Sequence, residues 1–338
     1  MRYVIIGAGA VGGSIGGRLA EAGQEVVLVA RGAHHAALSA GGLRLTTPDG
    51  TRTHRLPVAE GPEDIELRPD DVLLLAVKTQ DSTAALDAWS ARPVAGGSGA
   101  TAGEALPLVC AQNGVESERL ALRRFRQVYG MCVWLPATYA EPGAVSAGGV
   151  PYTGMLHLGR YPSGTDATAE AIGAGLTTDR LLAPVVADVM RWKYAKLLAN
   201  LTNAVEAVAG PIGEATWELV RRATAEGAAV LEAAGIPYVS PEEQAETRAD
   251  HITFPEANGF PRGRGSSWQS LSRGTGTIEA DYLNGEITLL GRLHGIPTPV
   301  NATLQQTANL FARERRTAGS MSVADLTALV DTAAAAAG

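Results

Sequence analysis

The sequence predicts an α/β fold, with a parallel sheet wound with helices over residues 1–180 and an all-helical domain over residues 181–338. Three observations predict it. Short apolar runs alternate with helical patterns through the first half, as in successive βαβ units. A glycine-rich turn joins the first such run to the first helical pattern. After Leu181 the short runs give way to long patterns of helical period.

The elements follow in order. Tyr3 to Ile6 reads as a buried strand, Val11 to Ala22 as a helix ending at Gly23, and Val26 to Val29 as the second strand. Leu43–Thr47 and Thr53–Val58 read as a hairpin across Pro48-Asp49-Gly50. Val72 to Val77 is an apolar strand, followed by a helix from Ser82 to Trp89 and a Gly/Ser-rich stretch from Pro93 to Gly103 that reads as a mobile loop. Leu106 to Ala111 is the next strand, with a turn at Gln112-Asn113-Gly114. Shorter strands between Val128 and Leu158 are separated by Pro142-Gly143 and Gly148-Gly149. Helical patterns then cover Pro184–Ala209, Ile212–Ala234, Pro241–Thr253, Ile278–Leu293 and Val300–Arg313, with an Ala-rich terminal helix after Ser320.

A chain of 338 residues is long for one core, which favours two domains. With 46% hydrophobic and 19% charged residues the composition is globular. A net charge of −7 argues against nucleic acid as a partner, since neutralising phosphates needs a basic patch. The two cysteines, Cys110 and Cys132, form no spaced set with His, so neither a zinc site nor a disulfide framework is expected, and a cytoplasmic setting fits. No apolar stretch is long enough to span a membrane, and no targeting segment is read at the start.

Gly7-Ala8-Gly9-Ala10-Val11-Gly12 is a G-x-G-x-x-G pattern in the context that gives it meaning, after a strand and opening a helix. Gly7 makes the tight turn, Gly9 lets the backbone approach a pyrophosphate, and Gly12 allows close helix–strand packing, with the phosphate on the helix N-terminus. This is the phosphate cradle of a Rossmann-type dinucleotide-binding domain. At the end of the second strand, Leu28-Val29-Ala30-Arg31-Gly32 offers no acid for a ribose 2′-hydroxyl and places Arg31 where a 2′-phosphate would arrive. NADPH is therefore the expected cofactor, with Gly7, Gly9, Ala10, Val11, Gly12 and Arg31 as contacts. Lys78 and Asn113 each follow a strand C-terminus, where ligands of open α/β sheets sit.

In the second half, Lys196, Asn200 and Asn203 share a face. At roughly 100° per residue, Asn200 lies about 40° from Lys196 and Asn203 about 20° to the other side. Three polar groups on an otherwise apolar helix cost free energy unless a ligand or solvent satisfies them. Ser266-Ser267 in a Gly-rich segment can take a carboxylate, and Glu279 opens a helical pattern where it could face Lys196.

These features, with Val77-Lys78, Gln112-Asn113-Gly114, Lys196-x-x-x-Asn200, Ser266-Ser267 and Glu279-x-Asp281-Tyr282-x-Asn284-Gly285, resemble the ketopantoate reductase (2-dehydropantoate 2-reductase) family over nearly the whole chain. The resemblance implies an NADP-dependent oxidoreductase of pantothenate biosynthesis that delivers hydride to the ketone of a 2-oxo acid. Lys196 is then the general acid, Glu279 its orienting partner and the ligand of the nascent hydroxyl, and Asn200 and Ser267 substrate ligands. Asn113 and Lys78 stand between cofactor and substrate. The resemblance also implies a homodimer and no metal.

The chain departs from the family pattern at the second asparagine, which falls at Asn203 with Ala204 in the usual place. It departs again where Ser266-Ser267-Trp268-Gln269-Ser270-Leu271 carries a bulky Trp and no Asp, preceded by Arg262 and Arg264. These changes fall in the expected substrate-binding segment. They leave open a paralogous reductase of another 2-oxo acid or imine. A third reading, a non-catalytic NADP-binding sensor, has no use for the proton donor that Lys196 supplies.

Overall fold

The computed structural model describes residues 1–96, 99–253 and 264–337. By Cα proximity the chain divides into two units, Met1–Trp192 with Ser240–Gly263 (the latter described as far as Thr253), and Lys193–Val239 with Arg264–Gly338. The division thus falls at Trp192/Lys193, against an expected boundary at residue 180, and the helix Pro241–Arg248 groups with the first unit although it lies in the expected helical half.

The first unit opens with β1 (Arg2–Ile6), α1 (Ala10–Glu21), β2 (Glu25–Val29), α2 (Gly32–Gly41), β3 (Leu43–Thr47), β4 (Gly50–His54), β5 (Val58–Ala59) and β6 (Asp71–Leu75). It continues with α3 (Ser82–Ser90), α4 (Ala102–Ala105), β7 (Pro107–Cys110), α5 (Ser117–Leu122) and β8 (Gln127–Trp134). After these come β9 (Ala137–Glu141), β10 (Ala144–Ala147), β11 (Val150–Pro151), β12 (Gly154–Arg160), α6 (Ala167–Leu176) and β13 (Leu181–Leu182). The principal sheet has the order β13-β12-β8-β7-β6-β1-β2-β5. Its strands from β8 to β5 are parallel, and β12 returns antiparallel against β8. β1, β6 and β7 are buried almost throughout, which is why they read as unbroken apolar runs.

A smaller sheet, β4-β3-β10-β9, was not foreseen as a unit. The expected hairpin partner of β3 is Gly50–His54, while Val58 belongs to β5 in the principal sheet, beside Leu28. The small sheet packs on α1, and the composition of that helix explains how. A Cβ at Gly12 or Gly16 would meet Ile5 side-chain atoms at 2.8 and 2.9 Å, so this stripe faces the principal sheet. A Cβ at Gly13 or Gly17 would lie 3.2 Å from Val145 or 2.8 Å from Leu45, so the neighbouring stripe faces the small sheet. Glycines at i and i+4 on two adjoining faces let both sheets approach the helix backbone.

The ends of the Pro93–Gly103 stretch are anchored rather than free: Val94 is buried and bridges to Leu67, Pro93 bridges to Thr101, and α4 follows. At the opposite end of the sheet from the glycine turn, Arg2 makes a paired contact with Asp71 at 2.6 and 2.7 Å, both side chains buried.

The second half holds α7 (Val189–Asn200), α8 (Thr202–Ala209), α9 (Trp217–Ala233), α10 (Pro241–Arg248), β14 (Ile252–Thr253), α11 (Ser266–Ser272), α12 (Asn284–His294), α13 (Pro299–Arg313) and α14 (Val323–Ala337). β14 pairs with β11. The boundary between units lies inside α7, whose Trp192 stacks on His157 with ring centroids 3.9 Å apart, while Cys132 donates from Sγ to the Trp192 carbonyl at 3.4 Å. In the second unit α13 packs against α8, α9, α12 and α14. Glu226 of α9 accepts the Val300 and Asn301 N–H groups at 2.9 and 2.8 Å, a carboxylate capping the start of α13.

Two expected helices are interrupted. Pro184–Ala209 is not one helix, because the chain breaks at Leu201 between α7 and α8. Ile278–Leu293 is likewise divided: Glu279–Tyr282 form a single 3-10 turn, and α12 begins only at Asn284.

Candidate active site

In the first unit, β7, β6, β1 and β2 lie side by side, so the segments leaving their C-terminal ends share one edge of the sheet. The glycine turn leaves β1, Lys78 follows β6, Asn113 follows β7 and Arg31 follows β2. The order reverses about β1, with β2 on one side and β6 on the other, which is the switch point where ligands of open α/β sheets bind.

The local geometry fits a dinucleotide. Gly7 has φ +103°, and a Cβ there would stand 2.7 Å from the Val77 nitrogen, so the turn needs glycine. A Cβ at Gly12 would stand 2.2 Å from the Gly7 carbonyl oxygen. Gly9 differs from both: a Cβ there would meet nothing within 4 Å. No neighbour among the described residues demands glycine at position 9, and the open space beside it suits a pyrophosphate. Ala10 and Val11 form the first turn of α1, with their N–H groups at its positive end.

Arg31 is exposed, caps the start of α2 and makes no ion pair among the described residues. Beside it stands an acid that reading along the second strand missed. Glu60, just past β5, accepts the Gly32 N–H at 3.3 Å. It reaches this place from the neighbouring strand, not from β2 itself. Asn113 and Lys78 are half-buried, and Lys78 is engaged within the protein. Behind Asn113, buried Gln112 donates to Ser82 Oγ at 3.3 Å, and Ser82 lies 3.4 Å from Ser117 Oγ, which fastens the turn to α3 and α5.

In the second unit Lys196 and Asn200 lie one turn apart on α7, both half-buried. The Asn200 Nδ2 is buried with no hydrogen-bond partner among the described residues. Asn203 sits in the first turn of α8 beyond the Leu201 break. Its Oδ1 approaches Gly265, where a Cβ would lie only 3.1 Å away, so the structure brings Asn203 beside the start of α11. Ser267 is buried in that start, and the Oγ of the preceding Ser266 is buried without a partner among the described residues. Glu279 is buried in its 3-10 turn, which packs on α12 and α13. Lys196 and Glu279 each take part in an interaction within the protein.

Several motif residues have structural work instead. Asp281 accepts from Gln305 and Asn309 at 2.7 and 2.6 Å, tying the 3-10 turn to α13. Buried Asn284 bonds the Leu201 carbonyl and Asn301, and Gly285 leaves room for Gln305. Trp268 packs within the second unit. The far edge of its ring lies against Gly319, itself beside Gly210, and the Arg264 guanidinium sits 5.1 Å over the ring. Arg264 also pairs with Glu206 at 3.6 Å. Arg262 lies outside the described residues.

Among the described residues no helix is long and apolar enough to cross a membrane, and no group of three or more His, Cys, Asp or Glu side chains could hold a metal ion.

Two family models match the chain: Ketopantoate reductase PanE/ApbA over residues 3–163, and Ketopantoate reductase PanE/ApbA C terminal over residues 188–312. The chain is 30% identical over 329 residues to a 2-dehydropantoate 2-reductase of Halobacterium salinarum, covering 93% of this chain and 100% of that one. It is 26% identical over 314 residues to a protein of the same name from Pyrococcus abyssi, covering 90% and 95%. Among solved structures, a PanE/ApbA family ketopantoate reductase from Ralstonia eutropha JMP134 matches with a TM-score of 0.75 at 27% identity, covering 94% of this chain and 100% of that one. A D-mandelate dehydrogenase solved with NADH and anilino(oxo)acetate shares the fold, with a TM-score of 0.78 at 22% identity and the same coverage.

Proposed function

Because the chain belongs to the ketopantoate reductase family, we propose that it reduces 2-dehydropantoate (ketopantoate) to pantoate with NADPH as cofactor. The observation that carries this reading is the Asn200 amide, buried without a partner among the described residues one helical turn from Lys196. An unsatisfied buried donor costs about 1–3 kcal/mol, which a substrate oxygen would offset.

The bound nicotinamide supplies the hydride. Lys196 gives a proton to the carbonyl oxygen as it becomes an alkoxide, and half-burial suits a lysine to that task. Glu279 orients Lys196 and takes the hydrogen bond of the new hydroxyl. Asn200 and Asn203 hold substrate oxygens, and Ser267, with Ser266 beside it, receives the carboxylate. Asn113 and Lys78 lie between the two ligands. Arg31, free of any described ion pair, is offered to the 2′-phosphate, while the neighbouring Glu60 is engaged by the Gly32 N–H. The enzyme belongs to pantothenate synthesis, in the cytoplasm, as a homodimer.

The test is cofactor oxidation by purified protein with 2-dehydropantoate beside a panel of other 2-oxo acids, using NADPH and NADH in parallel. Turnover on 2-dehydropantoate with NADPH, lowered about 10²-fold or more by Lys196→Ala, is the expected result. Turnover confined to a different oxo acid would overturn the substrate, and equal loss of NADPH and NADH affinity in Arg31→Ala would overturn the cofactor assignment.

A further inference from the structure

His34 joins the glycine turn to the helix that begins at Arg31. It lies in the first turn of α2, and both of its ring nitrogens are engaged. The Gly143 N–H donates to Nδ1 at 2.9 Å, so Nδ1 is an acceptor. The Ala8 carbonyl oxygen lies 2.7 Å from Nε2, and because a carbonyl can only accept, Nε2 carries the hydrogen. The two partners together select the Nε2–H tautomer. Tyr139 meets the ring edge-on at 5.0 Å, and Gly143 packs against Ala37 of α2, so the β9–β10 turn backs the imidazole.

The consequence lies in the peptide plane between Ala8 and Gly9. In a planar trans peptide the C=O and the following N–H point in opposite directions. With the Ala8 carbonyl held on His34, the Gly9 N–H is directed away from α2. The Ala8 N–H is itself bonded to the Val29 carbonyl at 2.9 Å, which fixes the other side of the residue. No side chain of the family pattern performs this office, and the sequence offers no sign of it: His34 and His35 are adjacent in a short helix with no distinguishing pattern.

We propose that His34 is a positioning residue for the nucleotide. By holding the Ala8 carbonyl it aims the Gly9 N–H at the cofactor pyrophosphate, and by the same bond it ties the pyrophosphate turn to the helix headed by Arg31. The proposal rests on the dinucleotide reading of this edge. Its signature is a loss shared by both nicotinamide cofactors, since the pyrophosphate is common to them, whereas Arg31 touches only what distinguishes them.

The experiment is calorimetric titration of the full-length protein with NADPH and with NADH, for the wild type, His34→Phe, His34→Gln and Arg31→Ala. His34→Phe keeps a ring against Tyr139 and removes both hydrogen bonds. It is expected to weaken NADPH and NADH alike by about tenfold or more, with the melting temperature of the free protein little changed. His34→Gln, which offers one donor and one acceptor, is expected to recover most of that loss, and Arg31→Ala to weaken NADPH alone. Should His34→Phe not fold, His34→Asn, too short to reach both partners, makes the same comparison. Wild-type affinities in the His34 variants would overturn the proposal and leave the dinucleotide reading standing. So would a lowered melting temperature with affinities unchanged, the mark of a merely structural histidine. Failure of the wild type to bind either nucleotide would overturn both.

Discussion

Asn284 closes the gap in the helix that carries Lys196: its Nδ2 donates to the Leu201 carbonyl at 3.2 Å and to Asn301 Oδ1 at 2.9 Å. Leu201 is the residue at which α7 ends and α8 begins, one position beyond Asn200. The break therefore has a specific partner in a distant part of the sequence. Asn301 continues the chain of bonds to the Ala223 carbonyl at 3.0 Å and to Glu226 at 2.8 Å, so α7, α8, α9, α12 and α13 meet around one buried polar network.

Asn284→Ala should lower stability by about 1–3 kcal/mol, the cost of losing two buried hydrogen bonds, to the Leu201 carbonyl and to the Asn301 amide oxygen. Asn284→Asp should be worse, because it turns an acceptor toward two others. Urea denaturation of the two variants checks the order, and an Asp variant as stable as the wild type would show that the bond does not hold the break.

Asn200→Leu should separate stability from activity. It removes a buried amide donor that lacks a partner. The variant should match or exceed the wild-type stability by about 1 kcal/mol, while kcat/KM for the oxo acid falls by about tenfold or more if the amide holds a substrate oxygen. Unchanged kcat/KM would remove Asn200 from the site.

Gly9 and Gly12 should fail in different ways. Gly9→Ala adds a methyl into open space at φ −70°, so the free protein should keep its melting temperature while cofactor affinity falls by about tenfold or more. Gly12→Ala drives a Cβ against the Gly7 carbonyl and Ile5, and should cost about 1–3 kcal/mol of stability as well as cofactor binding. Tight cofactor binding by Gly9→Ala would place the pyrophosphate elsewhere.

His157 sets an acid limit on the first unit. Burial, with a lesser contribution from the charge of Arg248, pushes its pKa from 6.5 down to about 4, and neither ring nitrogen has a partner. The folded state thus resists a proton that the unfolded chain accepts. Stability should be unaffected by this group above pH 6.5 and should fall as the pH drops from there to about 4, by about 3 kcal/mol in all. His157→Phe, which retains a ring against Trp192, should flatten that part of the stability–pH curve. An identical slope in the variant would assign the acid sensitivity to other groups.

Much of the first unit was legible in the sequence. β1, β6 and β7 are covered on both faces and so appear as continuous apolar runs, and the glycine turn follows directly from its place between β1 and α1. The small sheet was not legible as a sheet, because β3 and β10 pair across about a hundred residues and each is short. The breaks at Leu201 and Leu283 were hidden for a related reason: the local pattern remains helical, and what ends each helix is a tertiary contact. At the candidate site, Lys196 and Asn200 could be placed on one face because four residues make a helical turn. Trp268 could not be placed, since its departure from the family pattern says nothing of direction, and Gly319, against which its ring rests, is far from it in sequence. Glu60 was overlooked because it comes to the end of β2 from a neighbouring strand.

The double glycine stripe on α1 has a bearing on the cofactor that goes beyond packing. Elements that grip ligands are commonly drawn from the least stable parts of a protein and harden only on binding. Here the helix whose N-terminus is the proposed seat of the pyrophosphate is clasped on two sides, with Ile5 and Leu28 against one glycine pair and Val145 and Leu45 against the other. Such a helix opens only when the surrounding unit does. On the proposed reading the nucleotide would meet a helix already held in place, and any adjustment on binding would be left to exposed side chains such as Arg31.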